Sequence, residues 1–213
     1  MFELPLFPLN VVVFPGMPLP LHIFEERYKQ MISLCLSEER PFGIVLIRNG
    51  SADFDPLVEP YDVGCTVEII QVQRLEGGRL FIMTVGQDRF RIFSLKRDKP
   101  YLVGVVELLQ LEKERQAPLV QAAGRLYPLV IDYLNILATV AEVDFDTTRV
   151  PTDPESLVYT AAALIQTPLE SKQSLLEANR ASRLLKHLYA VYGQEIALLK
   201  RIPSEDDGPF SVN

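Results

Sequence analysis

The chain is poor in the residues that build metal and thiol chemistry: two cysteines, Cys35 and Cys65, and two histidines, His22 and His187, in 213 residues. No CxxC or HxxxH spacing joins them, so they do not make a standard zinc site. Each cysteine falls on an apolar stripe, which fits a reducing compartment better than a disulfide-built secreted scaffold, a single bridge being the lesser alternative. No Gly-Lys pair occurs anywhere in the sequence. A phosphate-binding loop of the GxxxxGK[ST] type needs that lysine on the phosphates, so a nucleotide motor is excluded. Net positive charge is also missing. A formal charge of −7 argues against a sequence-independent hold on phosphate backbones, which rests on clustered Lys and Arg. No stretch reaches the ~18 uncharged apolar residues of a membrane span. The start, Met1-Phe2-Glu3-Leu4-Pro5, has no cationic leader, and a cytoplasmic location is expected. There is no internal repeat and no low-complexity segment.

What is present is enough apolar material, 48% of residues, to bury a core without metal or disulfide staples. Five prolines, Pro5, Pro8, Pro15, Pro18 and Pro20, stand in the first 22 residues. Each lacks a backbone donor and disfavours helix before it, so this stretch should be edge strand and turns, with a turn at Pro15-Gly16. After His22 the apolar residues Phe24, Tyr28, Met31, Ile32, Cys35 and Leu36 recur at helical spacing, ended by Pro41. Short strands are expected at 42–47, 64–75, 80–85, 89–95 and 101–111. The 64–75 run changes phase at Ile70, which predicts a bulge. The run 80–85 is apolar on both faces, as for a strand enclosed in a barrel. Together these read as a small, partly open β-barrel with one inserted helix.

Strand signal stops near Glu112, and an all-α bundle is expected over 113–203, giving an α+β chain. Pro128 predicts a kink or two helices within 118–141. Asp153-Pro154 and Thr167-Pro168 read as helix starts, the latter with a Thr167–Glu170 capping box. A last helix from about 179 to 201 should bury Leu184, Leu185, Leu188, Val191, Tyr192, Ile196 and Leu199. Residues 204–213, rich in Glu, Asp, Gly and Pro, are expected as a frayed tail. The units are therefore 1–112, 113–203 and 204–213.

The opening run LPLFPLNVVVFPGMPLPLHIFEERYKQM, then Gly64-Cys65-Thr66, Gly86-Gln87-Asp88-Arg89-Phe90, Pro100-Tyr101, and Lys172-Gln173 through Leu176-Glu177 to Arg183-Leu184, resemble in order the amino-terminal domain of Lon, the ATP-dependent protease. The resemblance implies a barrel related to the PUA type and places Pro15, Gly16, Glu25, Glu26, Gly64, Gly86 and Arg89 among the structural motif. It carries over the recognition part alone, because Lon's motor and its Ser-Lys protease lie beyond this domain. The implied role is a non-catalytic polypeptide-recognition module in protein quality control, an adaptor with no cofactor. Its implied partners are unfolded or partly folded polypeptide and a Lon-type protease.

Several clusters invite chemistry. Cys65 with His22 is the one thiol–base pair that the resemblance brings together, against plain burial of a small apolar thiol. Asp53-Phe54-Asp55, Asp144-Phe145-Asp146 and Glu205-Asp206-Asp207 lack the glycine-centred loop of a calcium site and read as solvated acid. Glu25 and Glu26 suit the positive end of the first helix, with Arg89 as an expected ion-pair partner. The peptide-binding candidates are Phe54, Leu57, Val58 and Tyr61, on the irregular loop 49–62, together with Met17; capping of the barrel end is their bland alternative. A strand edge open to an extended peptide is a third route. The rival function is RNA binding, if Arg48, Arg74, Arg79, Arg89, Arg91, Lys96, Arg97 and Lys99 gather on one face. A hydrolase built on Cys65 is another.

Overall fold

The computed structural model describes residues 1–50, 58–141 and 144–201. Two compact units divide the chain: Met1–Lys113 with Ala162–Arg180, and Glu114–Ala161 with the segment from Ala181 onward. The α+β architecture is as expected. The helical half is not a single bundle, however, because residues 162–180 belong with the barrel. The expected tail, 204–213, lies outside the described residues.

In the first unit, strands β1 (Phe2–Leu9), β2 (Pro18–Ile23), β3 (Phe42–Asn49), β4 (Glu59–Pro60), β5 (Val63–Arg74), β6 (Leu80–Lys96) and β7 (Leu102–Leu109) form one sheet, and helix α1 (Glu26–Ser37) joins β2 to β3. The order β1-β7-β6-β5-β3 returns on itself because β1 also pairs with β3, in parallel. A ring of five strands results, with β2 attached to β6 and β4 to β3. β1 is thus not the edge strand that its prolines suggest. Residues 2–6 pair with β7 and residues 6–9 with β3, so Pro5 and Pro8 each stand where β1 has one neighbour only.

The two strands expected at 80–85 and 89–95 are one 17-residue strand, β6. Its second part belongs to the ring, while its first part, with Leu80–Val85, leaves the ring as an arm between β2 and residues 68–74 of β5. The phase change at Ile70 is a bulge: Ile69 pairs with Thr84 and Gln71 with Met83, leaving Ile70 unpaired. α1 buries Tyr28, Met31, Ile32 and Cys35 against Phe7, Phe42, Ile44 and Val67. Phe7 stacks on Tyr28 at 3.9 Å between ring centroids. Phe24 and Leu36, expected on that stripe, are exposed, because the helix starts at Glu26 and its buried face ends at Cys35.

The remaining helix of this unit, α4 (Leu169–Glu177), holds Gln173, Leu175 and Leu176 buried. Thr167 does not cap it. Pro168 itself stands at the N-cap, and its carbonyl accepts from Ser171 and Lys172, so the expected capping box begins one residue too early.

The second unit holds α2 (Gln116–Ala141), most of α3 (Pro154–Leu164) and α5 (Ala181–Leu199). α2 runs through Pro128 as one helix and buries Leu119, Ala123, Leu126, Val130, Tyr133 and Leu134 at helical spacing. α3 is capped as expected, Ser156 N–H donating to Asp153 Oδ1 at 2.9 Å. On α5, Leu184, Leu185, Leu188, Tyr192 and Ile196 are buried, and the Tyr192 hydroxyl donates to the Ala161 carbonyl at 2.9 Å. Tyr133 meets Tyr192 edge-on at 5.2 Å.

Candidate functional site

The Pro15-Gly16 turn decides how β2 reaches β6. Pro15 supplies the fixed φ of the second turn position and Gly16 the positive φ of the third, +80°, closed by Met17 N–H to Phe14 C=O at 3.0 Å. The turn sits on Gly86. Gly16 N–H donates to Gly86 C=O at 2.8 Å, and Gly86 N–H to Met17 C=O at 2.9 Å. A Cβ at residue 86 would lie 2.2 Å from the Phe14 carbonyl oxygen, so the close approach requires glycine. Two motif blocks that are far apart in sequence are therefore one joint.

That joint sets β2 in register along the arm. Phe81 faces His22 and Gln73, Met83 faces Pro20 and Gln71, and Val85 faces Pro18 and Glu68. Residues opposite one another share a face, so Phe81, Met83 and Val85 form an apolar stripe with prolines and His22 on one side and a polar rim on the other. Ile82 and Thr84, between them, turn inward and are buried. The expectation that 80–85 is enclosed on both sides is therefore corrected: one side packs on the core and the other meets solvent. Phe81 is 39% exposed, Phe24 is 55% exposed and the bulge residue Ile70 is 60% exposed. The Phe24 ring lies 5.8 Å from that of His22.

The loop-centred site is placed differently. Phe54 and Leu57 lie outside the described residues. Val58 is 6% exposed, and its carbonyl accepts from the Arg97 guanidinium at 2.9 Å, so it packs rather than presents an apolar surface. Tyr61 is half-buried beneath Arg48, whose guanidinium carbon is 4.7 Å from the ring centroid. Met17 is half-buried and packs against the barrel core. The edge route is blunted at β2, where Pro18 and Pro20 remove two donors.

Arg89 does not meet Glu25 or Glu26 as expected. Only 2% exposed, its guanidinium donates to the carbonyls of Leu176, at 2.8 Å, and Ala178, the last turn and cap of α4. Gln173 of the same helix donates to the Val63 carbonyl at 3.0 Å. Glu25 pairs instead with Arg27 at 2.8 Å, and Glu26 with Lys29 at 3.5 Å. The GxDRF and KQxLLE blocks thus fasten α4 to the barrel: a cation caps the negative helix end.

Cys65 is buried within the ring and donates to the Thr66 carbonyl, while His22 is exposed on β2, so the two form no thiol–base pair and plain burial of the thiol stands. Burial pushes the Cys65 thiol up to about 12 and the Cys35 thiol up to about 11, which keeps both protonated and poorly nucleophilic at neutral pH. Among the described residues no three His, Cys, Asp or Glu side chains converge as metal ligands. Asp146 is engaged as a cap, accepting from Thr148 N–H at 3.2 Å and from Arg149 at 2.9 Å. The basic face that RNA binding would need loses Arg89 to the interior, and Arg48 and Lys96 to ion pairs with Asp62 and Glu3. No helix among the described residues is long and apolar enough to cross a membrane.

Residues 3–191 match the family described as the ATP-dependent protease La (LON) substrate-binding domain. Lon protease 1 of Hydrogenovibrio crunogenus is 25% identical over 191 residues, covering 90% of this chain and 23% of that protein. Lon protease of Escherichia coli K12 is 26% identical over 202 residues, covering 93% of this chain and 25% of that protein. The chain thus spans about a quarter of the length of the relatives it matches. Among solved structures, the Lon N-terminal domain protein from Xanthomonas campestris superposes with a TM-score of 0.65 at 23% identity, covering 89% of this chain and 98% of that one. The N-terminal domain of the Mycobacterium avium complex Lon protease gives 0.68 at 20% identity, covering 90% and 98%. By the extent of that family match, the chain belongs to the Lon substrate-binding domain family.

Proposed function

We propose that this chain is a non-catalytic module that recognises unfolded or partly folded polypeptide, and that it does so with the outer face of the β2–β6–β5 arm. The observation that carries this reading is the solvent-facing stripe of Phe81, Met83 and Val85 beside Phe24 and the proline-bearing β2. An unfolded segment offers apolar side chains in irregular order, and a flat apolar strip accepts them by burial without demanding one sequence. Gln71, Gln73 and Glu68 supply a polar rim that keeps the free face soluble. The family's description as a substrate-binding domain supports the same ligand class. Both thiols are held protonated in the interior, in keeping with a binding rather than a bond-breaking role. A Lon-type protease is the partner to which such a module would pass its cargo.

The test is fluorescence-anisotropy binding of an unfolded-protein peptide to the wild-type chain and to a Phe24→Ala, Phe81→Ala variant. Covering what each ring exposes contributes about 1 kcal/mol, so the double variant should bind roughly thirtyfold more weakly. Both positions are exposed, and the melting temperature should hold. Equal binding by both proteins overturns the assignment to this face, and a Phe54→Ala, Leu57→Ala variant in the same assay asks whether the loop carries it.

A further inference from the structure

The ladders of the arm fix which backbone groups of its two outer strands point away from it. In an antiparallel pair, residues that exchange hydrogen bonds alternate with residues whose N–H and C=O point the other way. The β5–β6 hairpin closes with Leu75 N–H donating to Arg79 C=O at 2.9 Å, the pair next in register after Gln73↔Phe81 and Arg74↔Leu80. Gln71 and Gln73 therefore bond to β6, while Val72 and Arg74 direct both backbone groups away from it. Carried across β6, the alternation makes Leu80, Ile82 and Thr84 bond to Ile23, Leu21 and Leu19 of β2, and it turns the backbone of residues 18 and 20 away from β6. Both of those are prolines, which a strand admits where a residue donates nothing to its neighbour.

The two edges of the arm are thus unlike. β2 offers no free amide at either proline. On the opposite edge, β3 pairs with β5 only as far as Val67, and among the described strands none continues along residues 68–74. Gln71, Val72, Gln73 and Arg74 are all exposed. This stretch has no proline and a single charge, Arg74, so it is guarded less than β2. The bulge at Ile70 closes the open ladder on one side and the turn at Glu76–Gly78 closes it on the other. We infer that an extended stretch of polypeptide adds to this edge as a further strand of the arm, bonded to the backbone of Val72 and Arg74. This rests on the reading of the chain as a polypeptide-recognition module and specifies how a segment lies on it. Backbone pairing is indifferent to side-chain order, as a binder of unfolded chains needs, yet it demands free amides and so selects proline-free segments. A residue opposite Val72, which is 37% exposed and shares the face of the buried Ile82, gains by being apolar. The edge also borders the apolar stripe, Gln73 and Gln71 standing beside Phe81 and Met83, so one segment can touch both. A second copy of this chain is the poorer occupant, because an edge confined to residues 71–75 buries far less than the ~1,200 Å2 of a specific interface between folded proteins.

The experiment is amide hydrogen exchange by NMR on the intact wild-type chain, free and saturated with the unfolded-protein peptide. In the complex the Val72 and Arg74 amides should slow at least tenfold, while those of Gln71 and Gln73, already bonded to β6, change little. Anisotropy adds two comparisons. A form of the peptide N-methylated throughout its apolar stretch keeps its side chains and loses its donors, and it should bind the wild type at least fivefold more weakly. Val72→Pro places on this edge what β2 already carries, and it should weaken binding of the parent peptide at least fivefold at unchanged melting temperature. No slowing at Val72 and Arg74, or equal binding of the N-methylated peptide, overturns the edge whether or not Val72→Pro folds. Slowing that appears without peptide and grows with protein concentration gives the edge to a second copy and overturns the inference as well. Weaker binding by Phe24→Ala, Phe81→Ala with flat readouts at the edge keeps the apolar face and removes the edge; the reverse pattern removes the face and keeps the edge. Absence of any peptide binding to the wild type removes both.

Discussion

Replacing Arg89 with methionine removes the cation that holds α4, and its cost can be worked from the contacts. Two charge-assisted bonds end at the Leu176 and Ala178 carbonyls. The gain from no longer burying a guanidinium is offset by leaving these acceptors without it, at about 1–3 kcal/mol each, and by the loss of a cation at a helix C-terminus, worth up to about 2 kcal/mol when partly buried. A net loss of about 3–5 kcal/mol is expected, which for a chain of this size lowers the melting temperature by roughly 6–20 °C. Urea denaturation gives the total, and amide hydrogen exchange says where it falls. Residues of α4 should lose protection before the ring strands do, because the helix is fastened chiefly through Arg89 and Gln173. Arg89→Lys should recover only part, since an ammonium lacks the forked donors. A loss under about 1 kcal/mol with α4 amides still protected would refute the capping argument.

Other outcomes follow from the same geometry. Gly86→Ala drives a Cβ onto the Phe14 carbonyl and should cost about 1–3 kcal/mol in urea melts while shifting the resonances of residues 14–23, whereas Gly124→Ala, with nothing within 4 Å, should not destabilise. Folding holds the Cys65 thiol protonated up to about 12 against a reference of 9.0, so the unfolded chain loses that proton first as pH rises. Stability is thus fully present below about pH 9 and falls between 9 and 12, by up to about 1.4 kcal/mol per pH unit for this group; Cys65→Ala should flatten that slope in melts across the range. Both thiols should resist a thiol reagent at pH 8 in the native chain and react on denaturation. Asp153→Ala removes the α3 cap and should cost about 1 kcal/mol by denaturant titration.

Much of the barrel was legible because its signals are local. Pro15-Gly16, the phase shift at Ile70 and the Asp153-Pro154 start each act within a few residues, and each stands where it was read. What escaped depended on partners distant in sequence. β1 looked like an edge because prolines mark edges, and only the staggered pairing with β7 and β3 shows how Pro5 and Pro8 are accommodated. A lone arginine in a strand suggested a carboxylate partner, but a helix end made of carbonyls has no signature in side chains. The arm face proposed here as the binding surface was the least legible. An all-apolar run such as 80–85 is equally consistent with a buried strand and with one bearing an exposed apolar face. The missing clue was β2 beside it, which alternates prolines and His22 outward with leucines inward.

The path of the chain through its two units bears on how the protein is made. The last ring strand ends at Leu109, yet the carbonyls that receive Arg89 come from residues 176–178, after the chain has passed through the second unit and come back. On a ribosome, a nascent barrel waits with the Arg89 guanidinium lacking these acceptors until that stretch emerges, on the order of several seconds later at about 5–20 residues per second. Nascent chains stalled short of residue 176 would carry the seven described strands and still yield readily to protease, and release of a few more residues would seal them.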